Sequence, residues 1–293
     1  MSSVQFSEPS IAKEAIKEQS QLSRSQQTTS EQYVQYLQTQ KRKLWMIRIA
    51  QLMVFILFFG LWELAAEWKW VDPMLTSRPS KLIVSFQNLL FHGDLFKHAY
   101  TTGLETLIGI VISMVLGTII AIAFWWSTFA SKVLEPYIVV LNALPKVALG
   151  PIFYIWLGDR YSIYGMAIAI SVIVTVIMVE SGFKETGKTK LKLMESFGAT
   201  RSQMLRMVLL PASIPNFIAT LKVNVGLTLV GVIMGEFLSS KAGLGYLIIY
   251  GGQVFQMDMV MVSIVILALL SVILYSLVNA LGRYAMKKYH FEN

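Results

Sequence analysis

The chain has 293 residues, 55% of them hydrophobic and only 14% charged, with a mean hydropathy of +0.58; soluble domains run at roughly 45–50% and about 25%, so the composition marks a membrane protein. A net charge of +8 invites a nucleic-acid reading, but the basic residues lie between apolar runs rather than on one periodic face, which serves membrane topology instead. No cysteine and only three histidines, His92, His98 and His290, leave no disulfide framework, no thiol nucleophile and no basis for a thiolate or histidine-rich metal site.

Residues 1–43 are rich in Ser and Gln, lack a sustained apolar stripe and end in Lys41, Arg42 and Lys43. They predict a mostly disordered cytoplasmic tail, with a short helix around Glu31–Gln40. The first apolar run begins only near Leu44, which does not fit a cleaved signal peptide with a short basic start. Residues 44–290 form the expected membrane domain. Its fold class is all-α, with six candidate spans at Met46–Ala65, Leu104–Trp126, Leu134–Leu157, Ser162–Val179, Ile214–Leu238 and Met259–Leu281. Span 3 is interrupted by Pro145, Lys146, Gly150 and Pro151, and backbone freed there must be buried in protein or face water. Between spans 1 and 2, Pro73 and Pro79 mark extended chain. Ile83, Phe86, Leu89 and Leu90 then predict a short interfacial helix beside Trp62, Trp68 and Trp70.

Lysine and arginine placement orients the spans. With the N-terminus inside, seventeen of the 25 fall on inside segments and six outside, so both termini are expected in the cytoplasm. Gly109, Ser113, Gly117 and Ala121 share one face of span 2, and Gly231 and Gly235 one face of span 5, as close helix packing in lipid requires. Lys146 and Lys222 fall within spans. An unpaired charge at mid-bilayer costs about 2.5–3.5 kcal/mol on insertion scales, so each needs a partner, water or a role in a pathway. Pro145, Asn142, Asn224 and Glu236 join them as candidates for a translocation path. Glu105, Glu180 and Glu236 lie near span ends and read as interfacial.

The segment from Leu191 to Pro215, LKLMESFGATRSQMLRMVLLPASIP, is charged and glycine-punctuated between two membrane-length apolar runs. It predicts a short cytoplasmic helix over 189–197, a left-handed turn at Gly198, and a second helix with Pro211 near the start of span 5. Such a helix can lie in a groove of a soluble partner and pass on rigid-body motion; a basic loop that merely fixes topology is the alternative.

This segment resembles the cytoplasmic signature of binding-protein-dependent ABC importer permeases, which runs Glu-Ala-Ala, three residues, Gly, nine residues, Ile, one residue, Leu-Pro. Gly198 is followed by nine residues and then Val208, Leu209, Leu210 and Pro211, whereas Lys192, Leu193 and Met194 occupy the Glu-Ala-Ala positions and Glu195 lies three residues late. Asn142–Arg160 (NALPKVALGPIFYIWLGDR) and Gly235–Ile248 (GEFLSSKAGLGYLI), with RPSKLI near Arg78, resemble the nitrate, sulfonate and taurine branch. The resemblance covers about residues 45–290.

The resemblance implies a permease subunit of an ABC importer in the prokaryotic plasma membrane. It implies a homodimeric or heterodimeric partner permease, an extracytoplasmic solute-binding protein, partner ATPase subunits that bind ATP and Mg, and a small, anionic solute. It implies no nucleic acid, no cofactor and no metal in this chain, and no catalysis by it. Contact to the ATPase is expected from Lys192, Glu195, Ser196, Phe197, Gly198, Ala199, Thr200, Arg201 and Pro211. The chain also lacks a phosphate-cradling Gly-Lys-Ser/Thr loop. A secondary transporter driven by protons through Glu105 or Glu236 is the alternative. An intramembrane enzyme fares worse, because no nucleophile and base converge in the spans.

Overall fold

The computed structural model describes residues 9–72, 76–186 and 188–288; the first eight residues of the expected tail and His290 lie outside them. The described residues contain helices and turns but no strand. They divide into two units, one ending at Ala65 and one beginning at Ala66.

The first unit is built from helix α1, Pro9–Glu67. The polar segment expected to be mostly disordered is therefore helical from Pro9, well before Glu31. From Ser10 to Phe59 the chain has neither glycine nor proline, and it is rich in Gln, Glu, Lys and Ala, which lose little in a helix.

The second unit opens on α2, Pro79–His92, whose proline sits in the first turn after extended Arg78. Of the predicted apolar stripe it buries Leu89 against Leu95, Leu244, Leu247 and Val262, with Leu90 packed beside them, whereas Ile83 stays exposed along with Val84 and Phe91. Then come α3 (Leu95–Trp126), α4 (Thr128–Ala143), a 3₁₀ turn (Lys146–Leu149) and α5 (Gly150–Glu185), which is broken at Gly158 by a left-handed φ of 73°. After α6 (Lys188–Ser196) and α7 (Arg201–Met204), a π-turn at Leu205–Leu209 and the single turn α8 (Leu210–Ala212) lead into α9, Ile214–Ser239. Helices α10 (Leu244–Gln253) and α11 (Met257–Lys288) close the chain.

Helices α3, α5 and α9 pack against one another, and α11 packs on α9 and α10. Both small-residue stripes lie in these seams. A Cβ on Gly109 would strike Thr228 and Ala167, one on Gly117 would strike Thr175, and those on Gly231 and Gly235 would meet the α5 backbone at 2.6 and 2.5 Å. Glycine at these positions sets how closely the helices approach.

Five helices among the described residues are long and apolar enough to cross a bilayer; they lie in α1, α3, α5, α9 and α11. The expected third span is not among them. Its helix α4 starts at Thr128 and stops after 16 residues, because Leu144 is extended before Pro145.

Contacts fix which ends of the helices lie together. At one end, Ser131 near the start of α4 donates to Glu180 late in α5 at 3.1 Å, and Arg201 reaches Trp126 at the end of α3. At the other, Thr102 early in α3 donates to Glu236 late in α9, and Ser162 in α5 pairs with Ser239 at 2.8 Å.

Candidate functional site

The segment after α5 is assembled by helix-capping chemistry. Helix α6 ends in a Schellman turn: Ala199 N–H donates to Met194 at 3.0 Å, Gly198 N–H to Glu195 at 2.9 Å, and Gly198 has φ +77°. Two residues later Thr200 opens α7 with a capping box, its Oγ accepting from Gln203 N–H while Gln203 Oε1 accepts from Thr200 N–H at 2.8 Å. The predicted helix–Gly198–helix arrangement is therefore present, with its first helix at Lys188–Ser196.

Leu193 on α6 and Phe197 just past its end stand one turn apart and are 56% and 77% exposed, flanked by exposed Lys192, Glu195 and Ser196. Two large apolar side chains left uncovered within five residues offer a face for another protein. Nothing lies within 4 Å of where a Gly198 Cβ would stand, so its glycine answers to φ and to space left open beside it. The Arg201 guanidinium donates to the Trp126 carbonyl at 2.6 Å, satisfying one of the orphan acceptors at the end of α3, which has no basic residue in its own last turn. Between α6 and that end of α3 lies a cavity of about 330 Å³ lined by Trp125, Thr128, Leu191, Glu195 and Arg201 among others. Further on, Pro211 sits in the first turn of α8, and Leu209 beside it is fully buried against Ala121, Val179 and Phe183.

The path candidates fall into separate places. Asn142, Pro145 and Lys146 cluster at the break between α4 and α5, where Lys146 Nζ donates back to the Asn142 carbonyl at 3.1 Å and caps the end of α4. Asn142 and Pro145 are exposed and Lys146 is half-buried. Lys222 is half-buried on α9, with no hydrogen bond or ion pair among the described residues. Beside it runs an uncovered face of α9: Ala219, Val223, Gly226 and Val230 are exposed, and a Cβ on Gly226 would meet nothing within 4 Å.

Asn224 points into the helix seam instead. It is fully buried and donates to Thr175 Oγ at 2.7 Å, one turn from the Ser171–Ser113 hydrogen bond at 2.6 Å. These hydroxyls and amides tie α3, α5 and α9 together, as polar side chains do between membrane helices.

Glu236 is also enclosed, only 1% exposed, in place of the interfacial setting its sequence position suggests. Its Oε1 accepts from Thr102 Oγ at 2.7 Å and its Oε2 from Gly245 N–H at 2.6 Å. Leu244 N–H donates to Thr102 Oγ at 2.8 Å and Gly243 N–H to His98 Nδ1 at 3.0 Å. Three successive backbone donors at the start of α10 are thus each captured by a side chain from α3 or α9. Gly243 and Gly245 are glycine because a Cβ at either would run into the Glu236 carboxylate. Thr102 and His98 are neighbours of this cluster that sequence reasoning missed. By contrast Glu180, also read as interfacial, pairs with Lys184 at 2.9 Å and accepts from Ser131.

With this geometry in place, comparison with known proteins defines the class. Residues 109–289 match the family described as the binding-protein-dependent transport system inner membrane component, and the chain belongs to that family. A protein of Haemophilus influenzae named as an ABC transporter permease is 32% identical over 64% of this chain and 78% of its own length. SsuC of Escherichia coli, named for aliphatic sulfonate transport, is 25% identical over 78% of this chain and 87% of its own. Among solved structures, a chain of the MetNI methionine ABC transporter in inward-facing conformations superposes with a TM-score of 0.59. It is 15% identical, covering 65% of this chain and 95% of that one, and so supports the fold alone.

The chain is thus a multi-pass ABC importer permease with relatives named for sulfonate and taurine transport: a transport subunit, with catalysis left to a separate ATPase and solute capture to a binding protein. Ion-coupled secondary transport is not favoured.

Proposed function

We propose that this chain forms half of a translocation path for a small anionic solute across the inner membrane, and that Lys192–Arg201 is the seat of the ATPase. The observation that carries the reading is α6 itself. Leu193 and Phe197 are presented to an outside partner, while Arg201 ties the same segment to the end of α3, so that motion of a docked subunit has a route into the bundle. In the assembly ATP and Mg are bound by the partner subunit, and this chain holds no cofactor.

The uncovered face of α9 supports a second permease copy or a sister subunit lying against it. Lys222 and Lys146 are positioned to lower the cost of bringing an anion past that face and past the broken helix. The sulfonate relative is consistent with an anionic solute.

Six crossings are supported by the contacts at the two ends of the bundle: α4 begins beside Glu180 and α5 passes Ser162 beside Ser239, so the chain from Thr128 to Ser162 must traverse the bundle as a helix broken at Pro145. The basic residues then put both termini in the cytoplasm. The membrane domain is residues 44–290 in this reading, with residues 1–43 a cytoplasmic extension.

The test is co-purification of the tagged chain from its native membrane in gentle detergent. A nucleotide-binding subunit is expected to be recovered with it, and to be lost from Gly198→Leu, which forces a side chain into a left-handed turn and into the docking space. Recovery of the ATPase with Gly198→Leu at the wild-type level would place the seat elsewhere.

A further inference from the structure

A cavity of about 490 Å³ lies between α2 and the turn that joins α10 to α11, far along the chain from the ATPase seat and the path candidates. That volume is in the range of small-molecule sites, about 300–1,000 Å³. Its lining carries one cation, Lys81, and one anion, Asp258 of α11, with Ser85 and Asn88 following Lys81 on α2. Lys81 and Asp258 form no ion pair with each other. The Asp258 carboxylate is fixed in place, since its Oδ1 accepts from fully buried Ser77 at 2.6 Å.

The lip is apolar. Val84 and Phe255 line the cavity and are 58% and 65% exposed. Two of the four non-glycine residues with left-handed φ among the described residues belong to this region: Phe255 at 57° lines the cavity, and Ser77 at 57° holds the lining Asp258. Such backbone costs free energy and persists where the surroundings enforce it, often at ligand clamps. The neighbourhood is interfacial: Trp68 and Trp70, just before α2, are 60% and 72% exposed, and α2 shows Ile83 and Phe91 to its surroundings.

We propose that this cavity binds a zwitterion carrying a primary ammonium and a tetrahedral oxyanion, supplied by the membrane as a phosphoethanolamine headgroup. The phosphate is held by Lys81 with hydrogen bonds from Ser85 and Asn88, the ammonium by Asp258, and the acyl chains leave over Val84 and Phe255. A single acid beside a single base discriminates against both neighbours in lipid chemistry. A glycerol headgroup offers Asp258 only neutral hydroxyls in place of a charge-assisted ammonium, and a quaternary choline has no N–H to donate to it. The proposal rests on the membrane reading of the chain and is independent of the ATPase seat.

The experiment is native mass spectrometry of the full chain in detergent, titrated with phosphatidylethanolamine, phosphatidylglycerol or phosphatidylcholine of matched acyl chains. Phosphatidylethanolamine is expected to be retained preferentially, and K81M and D258N each to lower its retention by about two- to fivefold, the range for part-exposed ion pairs. D258N keeps an acceptor for Ser77 and Lys81 is exposed, so both variants spare the fold. Free phosphoethanolamine in excess distinguishes the sources: displacement of the lipid by it supports headgroup recognition, and binding of it without any lipid preference assigns the site to a soluble zwitterion and overturns the membrane source. Equal retention of the three lipids, unchanged in both variants and with no binding of free phosphoethanolamine, overturns the site altogether.

Discussion

At the scale of single residues, Glu236 shows how a carboxylate in an apolar helix is kept by geometry. Both of its oxygens accept hydrogen bonds, and the glycines at 243 and 245 leave room for it against the start of α10. Backbone N–H groups at a helix start have no internal partner and favour an acidic group, so Glu236, Thr102 and His98 together replace the missing acceptors. Glu236→Ala is expected to lower stability by about 1–3 kcal/mol, the cost of leaving buried donors unsatisfied, read as a fall in the melting temperature of the detergent-purified protein. Gly245→Ala is expected to act in the same direction through the same carboxylate. A melting temperature unchanged in Glu236→Ala would mean that α10 is held by its apolar face alone. The sequence shows Glu236 and its glycines as a motif, but not its partner. Thr102 lies 134 residues away on a different helix, and nothing in the local pattern of either residue encodes that meeting.

Among elements, the stretch from α6 to α9 is the part most readable in advance, because caps are local chemistry. A glycine that must turn left-handed and a Thr-x-x-Gln box two to five positions on are visible in the letters, and both are formed. The same holds for the break before Pro145. Helix length is less readable: hydropathy does not register that the residue before a proline leaves the helical region, which ends α4 at Ala143 and lets α5 carry the chain onward. Nor does it show what α6 is fastened to. The Arg201–Trp126 contact makes a specific expectation. Arg201→Ala removes this tie at the edge of the seat but leaves the Leu193 and Phe197 face, so solute uptake driven by ATP should fall several-fold, more than ATPase co-purification does, with Arg201→Lys recovering part of the loss because an ammonium still donates to the carbonyl. Uptake at the wild-type rate in Arg201→Ala would show that motion enters the bundle elsewhere, with the Leu209 packing against Ala121 and Val179 the next route to examine.

On the scale of the whole molecule, the number of crossings decides which end of each helix faces the partner ATPase, and helix length alone leaves it undecided. Five helices among the described residues meet the length and hydropathy needed to span, while α4 has 16 residues and carries Pro136 within it. Side-chain contacts argue for the sixth crossing, since Ser131 and Ser162 bond to partners at opposite ends of the α3, α5 and α9 bundle. Lipid makes a broken crossing costly unless protein or water satisfies the freed backbone, and the Lys146 ammonium on the Asn142 carbonyl meets part of that demand. The absence of cysteine makes a direct test clean, because any thiol introduced is the only one present. Lys132 and Asp159 are both exposed and flank the broken segment. In intact cells an impermeant maleimide should label Asp159→Cys and spare Lys132→Cys, and in inverted vesicles the pattern should reverse. Labelling of both from one side would mean that the chain from Thr128 to Gly158 dips in and returns, leaving five crossings. The segment proposed to seat the ATPase would then share its face of the membrane with only one terminus.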